Sequence, residues 1–369
     1  MKIELSGPDI TQAEIDAVCE VMKSGRLSLG PKVPEFEKAM AEYIGVKHAL
    51  AVANGTCGLH LLMRAAGVGP GDEVISTPFS FIASTNCIIY VGAKPVLVDI
   101  DPDTWNIDVR KIEAAITPRT KAIIPVDVFG LVPDMDAINA IAKRHHLRVI
   151  EDSCEALGSK YKGRMAGSLA DAGVFGFYPN KQMTTGEGGM IVTNDDEIAM
   201  LCDSMRNQGR DTGMGWLSHE RLGYNYRLTD VACAIGTVQL RRIKEILGKR
   251  DRVMGWYRRR MGDEKRVSLQ KLSKDCEMSW FVFVVKLADQ YTEKDRARII
   301  EQLRARGIGC NNYFAPIQLQ AFYRREYGYK EGDFPVCDRV SSRTFALPFH
   351  NGLTEAQVDE VCRTLKSLL

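Results

Sequence analysis

The chain has 369 residues, 45% of them hydrophobic and 26% charged, with a formal net charge of +2. That length allows two domains, and the composition is ordinary for a globular protein. The near-neutral balance, without a basic arm or a run of like charges, argues against nucleic acid or a membrane surface as partner. No apolar run is long enough to span a bilayer. The opening MKIELSGPDITQAEIDAV lacks the apolar core of a signal peptide, so the expected compartment is the cytoplasm. Ten cysteines are scattered without a CxxC pair and read as small buried thiols. The six histidines show no HExxH or comparable spacing, so no metal site is expected.

In chain order, helices are expected over Thr11 to Lys23 and Pro34 to Tyr43. ALAVA (49–53) reads as a short buried strand, followed by a helix from Thr56 to about Ala66. EVIST (73–77) is a strand and Ile82 to Tyr90 a helix. PVLVDI (95–100), AIIPVDV (122–128), LRVIED (147–152), GVFGF (173–177) and GMIVT (189–193) are further strands. Short β-rich runs alternating with helical stretches imply a mixed, mainly parallel sheet covered on both faces. A single helical stretch is expected from Val231 to about Tyr257, connecting to a smaller α+β region. There WFVFVVKL (280–287) is a strand, and KDRARIIEQLRARGIG (294–309) an amphipathic helix stopped by glycine. A last helix starts near Thr354, whose spacing to Gln357 is that of a capping box.

In such a sheet, ligands sit beyond the carboxyl ends of the strands. Three features fall there. Asn54-Gly55-Thr56 joins a strand to a helix, and exposed amides at a helix start favour a phosphate. Taken alone, Asn-Gly is a turn and Thr56 an N-cap. Glu151 and Asp152 close the apolar strand LRVI, with Glu155 three residues on. Each acid is either a polar stop or the partner of a cation. In FGFYPNKQMTTGEGG, Lys181 stands alone between an apolar strand and a Thr/Gly-rich loop. That loop is not a P-loop, because GxxxxGK[ST] is absent, and no GxGxxG follows a strand.

A phosphate pocket, a strand-end aspartate and an isolated lysine together suit pyridoxal 5'-phosphate (PLP). A lysine amine forms a Schiff base with the cofactor aldehyde, and an aspartate keeps the pyridine nitrogen protonated. The chain resembles the DegT/DnrJ/EryC1/StrS family of PLP-dependent sugar aminotransferases nearly end to end. The likeness runs through GRLSLGPKVPEFE (25–37), NGT (54–56), GPGDEVIST (69–77), GAKPVLVDID (92–101), IEAAITPRTKAIIPVDVFG (112–130), EDSCEALG (151–158), FYPNKQMTTGEGG (177–189) and LGYNYRLTD (222–230).

The resemblance implies the α/β transferase fold type I. A large PLP-binding domain would occupy residues 1–250, with a mainly parallel mixed sheet flanked by helices. A smaller α+β domain would occupy 251–369. It implies Lys181 as the Schiff-base lysine and Asp152 as partner of the pyridine nitrogen. Phe81 would stack on the cofactor, where the plainer alternative is a core phenylalanine. Gly55, Thr56 and the amide of Cys57 would bind phosphate. Asn225 would reach the phosphate of a neighbouring subunit, implying a homodimer with shared sites. Arg227, Tyr313 and Ser28 would contact substrate.

Three departures accompany the likeness. Gly176 stands where many members have a serine that helps hold phosphate. Glu155 stands where glutamine commonly meets the cofactor's phenolic oxygen. Asp127 and Asn312 replace family histidines and are expected on the substrate side. The reaction implied moves an amino group from glutamate, through pyridoxamine 5'-phosphate, to C3 or C4 of a nucleotide-linked deoxy keto sugar. Cyclitol aminotransferases share the motif set. PLP-dependent sugar dehydratases carry histidine where this chain has Lys181, and a PLP-binding sensor would need no turnover.

Overall fold

The computed structural model describes residues 2–211, 213 and 218–369. Its central sheet has seven strands, ordered His48–Val52, Gly189–Thr193, Ala172–Gly176, Arg148–Asp152, Thr120–Ile123, Glu73–Ser76 and Lys94–Leu97. Four neighbouring pairs are parallel, and only Gly189–Thr193 opposes the strands beside it. Six strands therefore point one way. The carboxyl ends of His48–Val52, Arg148–Asp152 and Ala172–Gly176 share one edge. The opposed strand fixes where the intervening loop lies: Gly176 pairs with Gly189, so residues 177–188 hang from that same edge.

Strand side chains alternate between faces. Leu50, Val52, Val174 and Ile191 pack with Leu59, Leu62 and Met63 of helix Gly55–Ala65. Ala49, Ala51, Phe175, Met190 and Val192 pack with Phe36, Met40 and Ile44 of helix Lys32–Ile44. Both faces are thus covered, as the near-continuous apolar strands require.

A second sheet, antiparallel throughout, is ordered Val267–Ser268, Phe283–Leu287, Thr344–Leu347 and Asn311–Asn312. Its core draws on helices Ile243–Met261, Glu293–Ala305 and Glu355–Leu368, and also on Ile3 from the start of the chain. Thr354 caps the last helix through a capping box with Gln357.

Several expected elements are altered, among them the strand over 280–287, which is Phe283–Leu287. The stretch 231–257 is two helices, Asp230–Arg241 and Ile243–Met261, not one. Arg242 between them leaves helical geometry (φ −92°, ψ 2°), and its guanidinium donates to Glu14 at 2.6 Å and Asp9 at 2.9 Å. The strand expected over 122–128 is Thr120–Ile123, ending just before Pro125, which has no N–H to give a ladder. The strand expected over 95–100 ends at Leu97.

Candidate active site

A cavity of about 540 Å³ opens at the shared strand edge, bordered by Asn54, Thr56, Phe81, Asp152, Glu155 and Lys181. The distant segments meet there because their strands run the same way. Tight packing between strand ends needs glycine. A Cβ on Gly189 would lie 2.6 Å from the backbone carbon of Asn54, and one on Gly55 would lie 2.7 Å from Cys154 Sγ.

Asp152 is buried at this edge. Its Oδ2 accepts from Ser84 Oγ at 2.7 Å and its Oδ1 from Cys154 N at 3.2 Å. A carboxylate offers about four acceptor positions, so Asp152 keeps capacity for one more donor. Lys181 Nζ lies 3.4 Å from Glu155 Oε1 and 4.0 Å from the centroid of the Phe281 ring. The other Glu155 oxygen accepts from Phe129 N at 2.9 Å. Burial pushes the Glu155 carboxyl upward, and the Lys181 ammonium partly offsets that. Glu155 therefore faces the amine.

The backbone of Lys181 is held as firmly as its amine. Arg250, on helix Ile243–Met261, donates to Lys181 O at 2.8 Å and to Phe281 O at 3.1 Å. Gln182 Nε2 donates to Glu155 O at 2.6 Å. The second sheet's elements thus fix the lysine against the first sheet.

Helix Gly55–Ala65 begins at the cavity with Asn54 as N-cap, and Asn54 Oδ1 accepts from Cys57 N at 2.9 Å. Cys57 is thereby redirected: its amide serves the cap, and it is not on the cavity wall. Gly55 and Thr56 do line the cavity. Phe81 is 61% exposed, which overturns the plainer alternative of a core phenylalanine. Its ring borders the cavity with a face free for a ligand.

Tyr313 also lines the cavity, its hydroxyl accepting from Asn180 Nδ2 at 3.4 Å, and burial pushes that hydroxyl up to about 12. Ser28, Asn225 and Arg227 are not brought to the cavity within one chain. Ser28 and Asn225 are exposed, and Arg227 donates to Asn207 Oδ1 at 3.0 Å. Asn312 is exposed on the edge strand Asn311–Asn312. Asp127, expected on the substrate side, is instead fully buried, with its backbone N–H bonded to Asp152 O at 3.1 Å.

Ser84, Phe281 and Arg250 had no sequence signal of their own. The four-residue spacing of Ser80 and Ser84 around Phe81 was the nearest hint, and those two hydroxyls lie 2.7 Å apart. Among the described residues no cluster of three or more His, Cys, Asp or Glu is arranged to hold a metal. No described helix is long and apolar enough to cross a membrane.

The donor set fits PLP: a carboxylate with spare acceptor capacity, an amine, helix-start amides and an open aromatic face. On a mainly parallel sheet covered on both faces, that arrangement marks the PLP-dependent transferase class. The family model for the DegT/DnrJ/EryC1/StrS aminotransferase family matches residues 8–366. The chain belongs to that family and is a PLP-dependent aminotransferase.

It is similar to the GDP-perosamine synthase of Caulobacter vibrioides, at 42% identity over 100% of this chain and 98% of the relative. Among solved structures it resembles the apo form of the putative sugar aminotransferase Spr1654 from Streptococcus pneumoniae. The TM-score there is 0.95, at 30% identity, covering 100% of this chain and 98% of that one. Spr1654 is also known in PLP and pyridoxamine 5'-phosphate (PMP) forms. PseC of Helicobacter pylori, an aminotransferase of pseudoaminic acid biosynthesis, gives a TM-score of 0.93 at 29% identity, covering 100% of this chain and 99% of that one.

Proposed function

We propose that this chain transfers an amino group from glutamate to a keto group, at C3 or C4, of a nucleotide-linked deoxy sugar. One observation carries the reading: an amine, a spare-capacity carboxylate and a helix start share one cavity in a chain 42% identical, end to end, to a GDP-perosamine synthase. PLP, when bound, supplies the aldehyde that receives amines and the ring that absorbs the electrons released when a proton leaves carbon.

Asp152, oriented by Ser84 and the Cys154 amide, would accept the hydrogen bond of the protonated ring nitrogen. Gly55 and Thr56 would take the phosphate at the helix start. Phe81 would cover one ring face. Among the described residues, Lys181 Nζ is the one titratable nitrogen on the cavity wall, so it would take the proton released from the donor's α-carbon and hold it for return. Its tether, clamped by Arg250, keeps the amine near both carbons involved, which makes one base sufficient. Asn225 and Arg227, exposed or half-buried away from this cavity, would complete the site of a second copy in a homodimer.

The test uses purified protein. The cofactor's visible absorption band should appear on adding PLP, and borohydride should fix the cofactor to Lys181. Glutamate should convert the bound cofactor to its amine form. UDP-, dTDP- and GDP-linked keto sugars, screened beside free keto-inositols, should be aminated where the inositols are not. A Lys181→Ala protein that still turned over would sink the mechanism, and turnover of inositols alone would replace the substrate class.

A further inference from the structure

Beside the end of strand Arg148–Asp152, two acids lie in the interior without an ion-pair partner among the described residues. Asp127 and Glu151 are each 0% exposed. Neither oxygen of Asp127, nor Glu151 Oε1, accepts a well-formed hydrogen bond; the hydrogen-bonding groups beside Asp127 are Ser153 and Glu151 itself, and beside Glu151 they are the Gly167 and Leu169 amides, Ser153 and Asp127. Glu151 Oε2 accepts from Leu169 N at 3.1 Å. Among the described residues, no lysine, arginine or histidine forms an ion pair with either acid.

The backbone brings the two acids together. Asp127 N donates to Asp152 O at 3.1 Å, and Asp152 N to Pro125 O at 2.9 Å, so Asp127 runs alongside the end of strand Arg148–Asp152. The titratable groups facing Asp127 are Glu151 and Asp152 from that strand and Cys276 from strand Cys276–Glu277. Ser153 offers one hydroxyl between the two carboxyls. Two bare carboxylates cannot share such a space without a cation. One proton resolves the conflict, because a neutral acid donates to the carboxylate next to it and the pair keeps a single charge.

We propose that Asp127 and Glu151 are a positioning pair that shares one buried proton, and that the single remaining charge of the pair supports Asp152 beside it. Burial pushes both acids upward, and the nearby Glu151 charge adds to it for Asp127, while a hydrogen bond from Asp127 partly offsets it for Glu151, in keeping with one proton held between them. The support of Asp152 rests on the reading of that residue as the partner of the ring nitrogen. The shared proton does not, so the two can fail separately.

The first experiment uses cofactor-free protein at pH 7. Difference infrared spectra between light and heavy water should show the carbonyl band of a neutral carboxylic acid, shifted by ¹³C-aspartate or ¹³C-glutamate labelling. Asp127→Asn and Glu151→Gln should each abolish that band, because the surviving acid then ionises against an amide donor. No neutral-acid band in the unmodified protein would overturn the proposal, even if no variant folded. A band that persisted in either single variant would overturn the sharing.

The second experiment titrates the visible absorption of the PLP-loaded protein. The single variants keep one negative charge and should titrate with the unmodified enzyme. Asp127→Asn combined with Glu151→Gln removes the charge and should move the midpoint to lower pH. An unmoved midpoint in the double variant would refute the support of Asp152 while leaving the shared proton standing.

Discussion

Replacing Arg250 by methionine tests how far the lysine depends on the second sheet's long helix. Arg250 is 3% exposed, and its partners are carbonyls: Lys181 O at 2.8 Å, Phe281 O at 3.1 Å and Trp280 O at 3.4 Å. Burial lowers its pKa to about 10, partly offset by the nearby Asp9 charge, so it stays charged at neutrality. Methionine preserves much of the aliphatic volume but leaves the two closer carbonyls without donors. Each bond from a charged donor contributes about 1.5–3 kcal/mol. Removing an uncompensated buried charge recovers part of that, leaving a net loss of about 2–4 kcal/mol. With an unfolding entropy of about 2.1 cal/mol/K per residue, 1 kcal/mol moves the midpoint of a chain this long by about 1.3 °C, so that of the cofactor-free protein should fall by about 3–5 °C.

The effect on turnover should be larger than that stability loss suggests, because one freed carbonyl belongs to Lys181 itself. A shift of the lysine tether by a fraction of an ångström should lower kcat about 10- to 100-fold, with KM for glutamate little changed. Arg250→Lys retains charge without the planar fork and should recover only part of the loss. Differential scanning fluorimetry and steady-state kinetics read the two effects. An Arg250→Met protein with unchanged kcat and full cofactor content would refute the clamp.

Glu155→Gln removes an acid held above the ordinary glutamate range by burial. The pH–rate profile should lose the acid-side step of that group, and an unchanged profile would exclude it from the chemistry. Asp127 and Glu151 are raised in the folded state, so folding retains a proton that the unfolded chain releases. Their contribution to stability is therefore full below the unfolded pKa and declines as pH rises toward the folded one, by about 1.4 kcal/mol per pH unit for one retained proton. Urea midpoints from acid to neutral pH should show that decline, and Asp127→Asn should flatten it. Gly176→Ser should be tolerated, because a Cβ there meets Cys154 Sγ at 3.4 Å and Cys154 Cβ at 3.5 Å. Its hydroxyl, added to the cavity wall, should tighten PLP binding about 2- to 10-fold by one extra hydrogen bond, which fluorescence titration would measure.

Lys181, Asp152 and Asn54-Gly55-Thr56 were legible in the sequence because each ends an apolar strand, and strand direction alone carries such ends to one edge. Ser84 and Arg250 were not. Ser84 reaches Asp152 across 68 residues and Arg250 reaches Lys181 across 69, and nothing in local pattern specifies those distances. The break at Arg242 was equally hidden, because its cause is an ion-pair network with Asp9 and Glu14 at the other end of the sequence.

Asp127 differs in the opposite sense: its chemistry is visible in the sequence and its place is not. The resemblance alone sets it on the substrate side. The named strand Thr120–Ile123 stops before Pro125, yet the chain does not leave the sheet there. Pro125 can still accept, and its carbonyl takes Asp152 N, after which Asp127 N returns the bond to Asp152 O. A proline that ends a strand for want of a donor thus continues the ladder as an acceptor, and carries the next polar side chain inward beside Glu151. An interior position without a cation demands a protonated acid. The polar residue after that proline therefore sets the electrostatics beside Asp152, where a shared proton is compatible with burial and an unshared carboxylate is not.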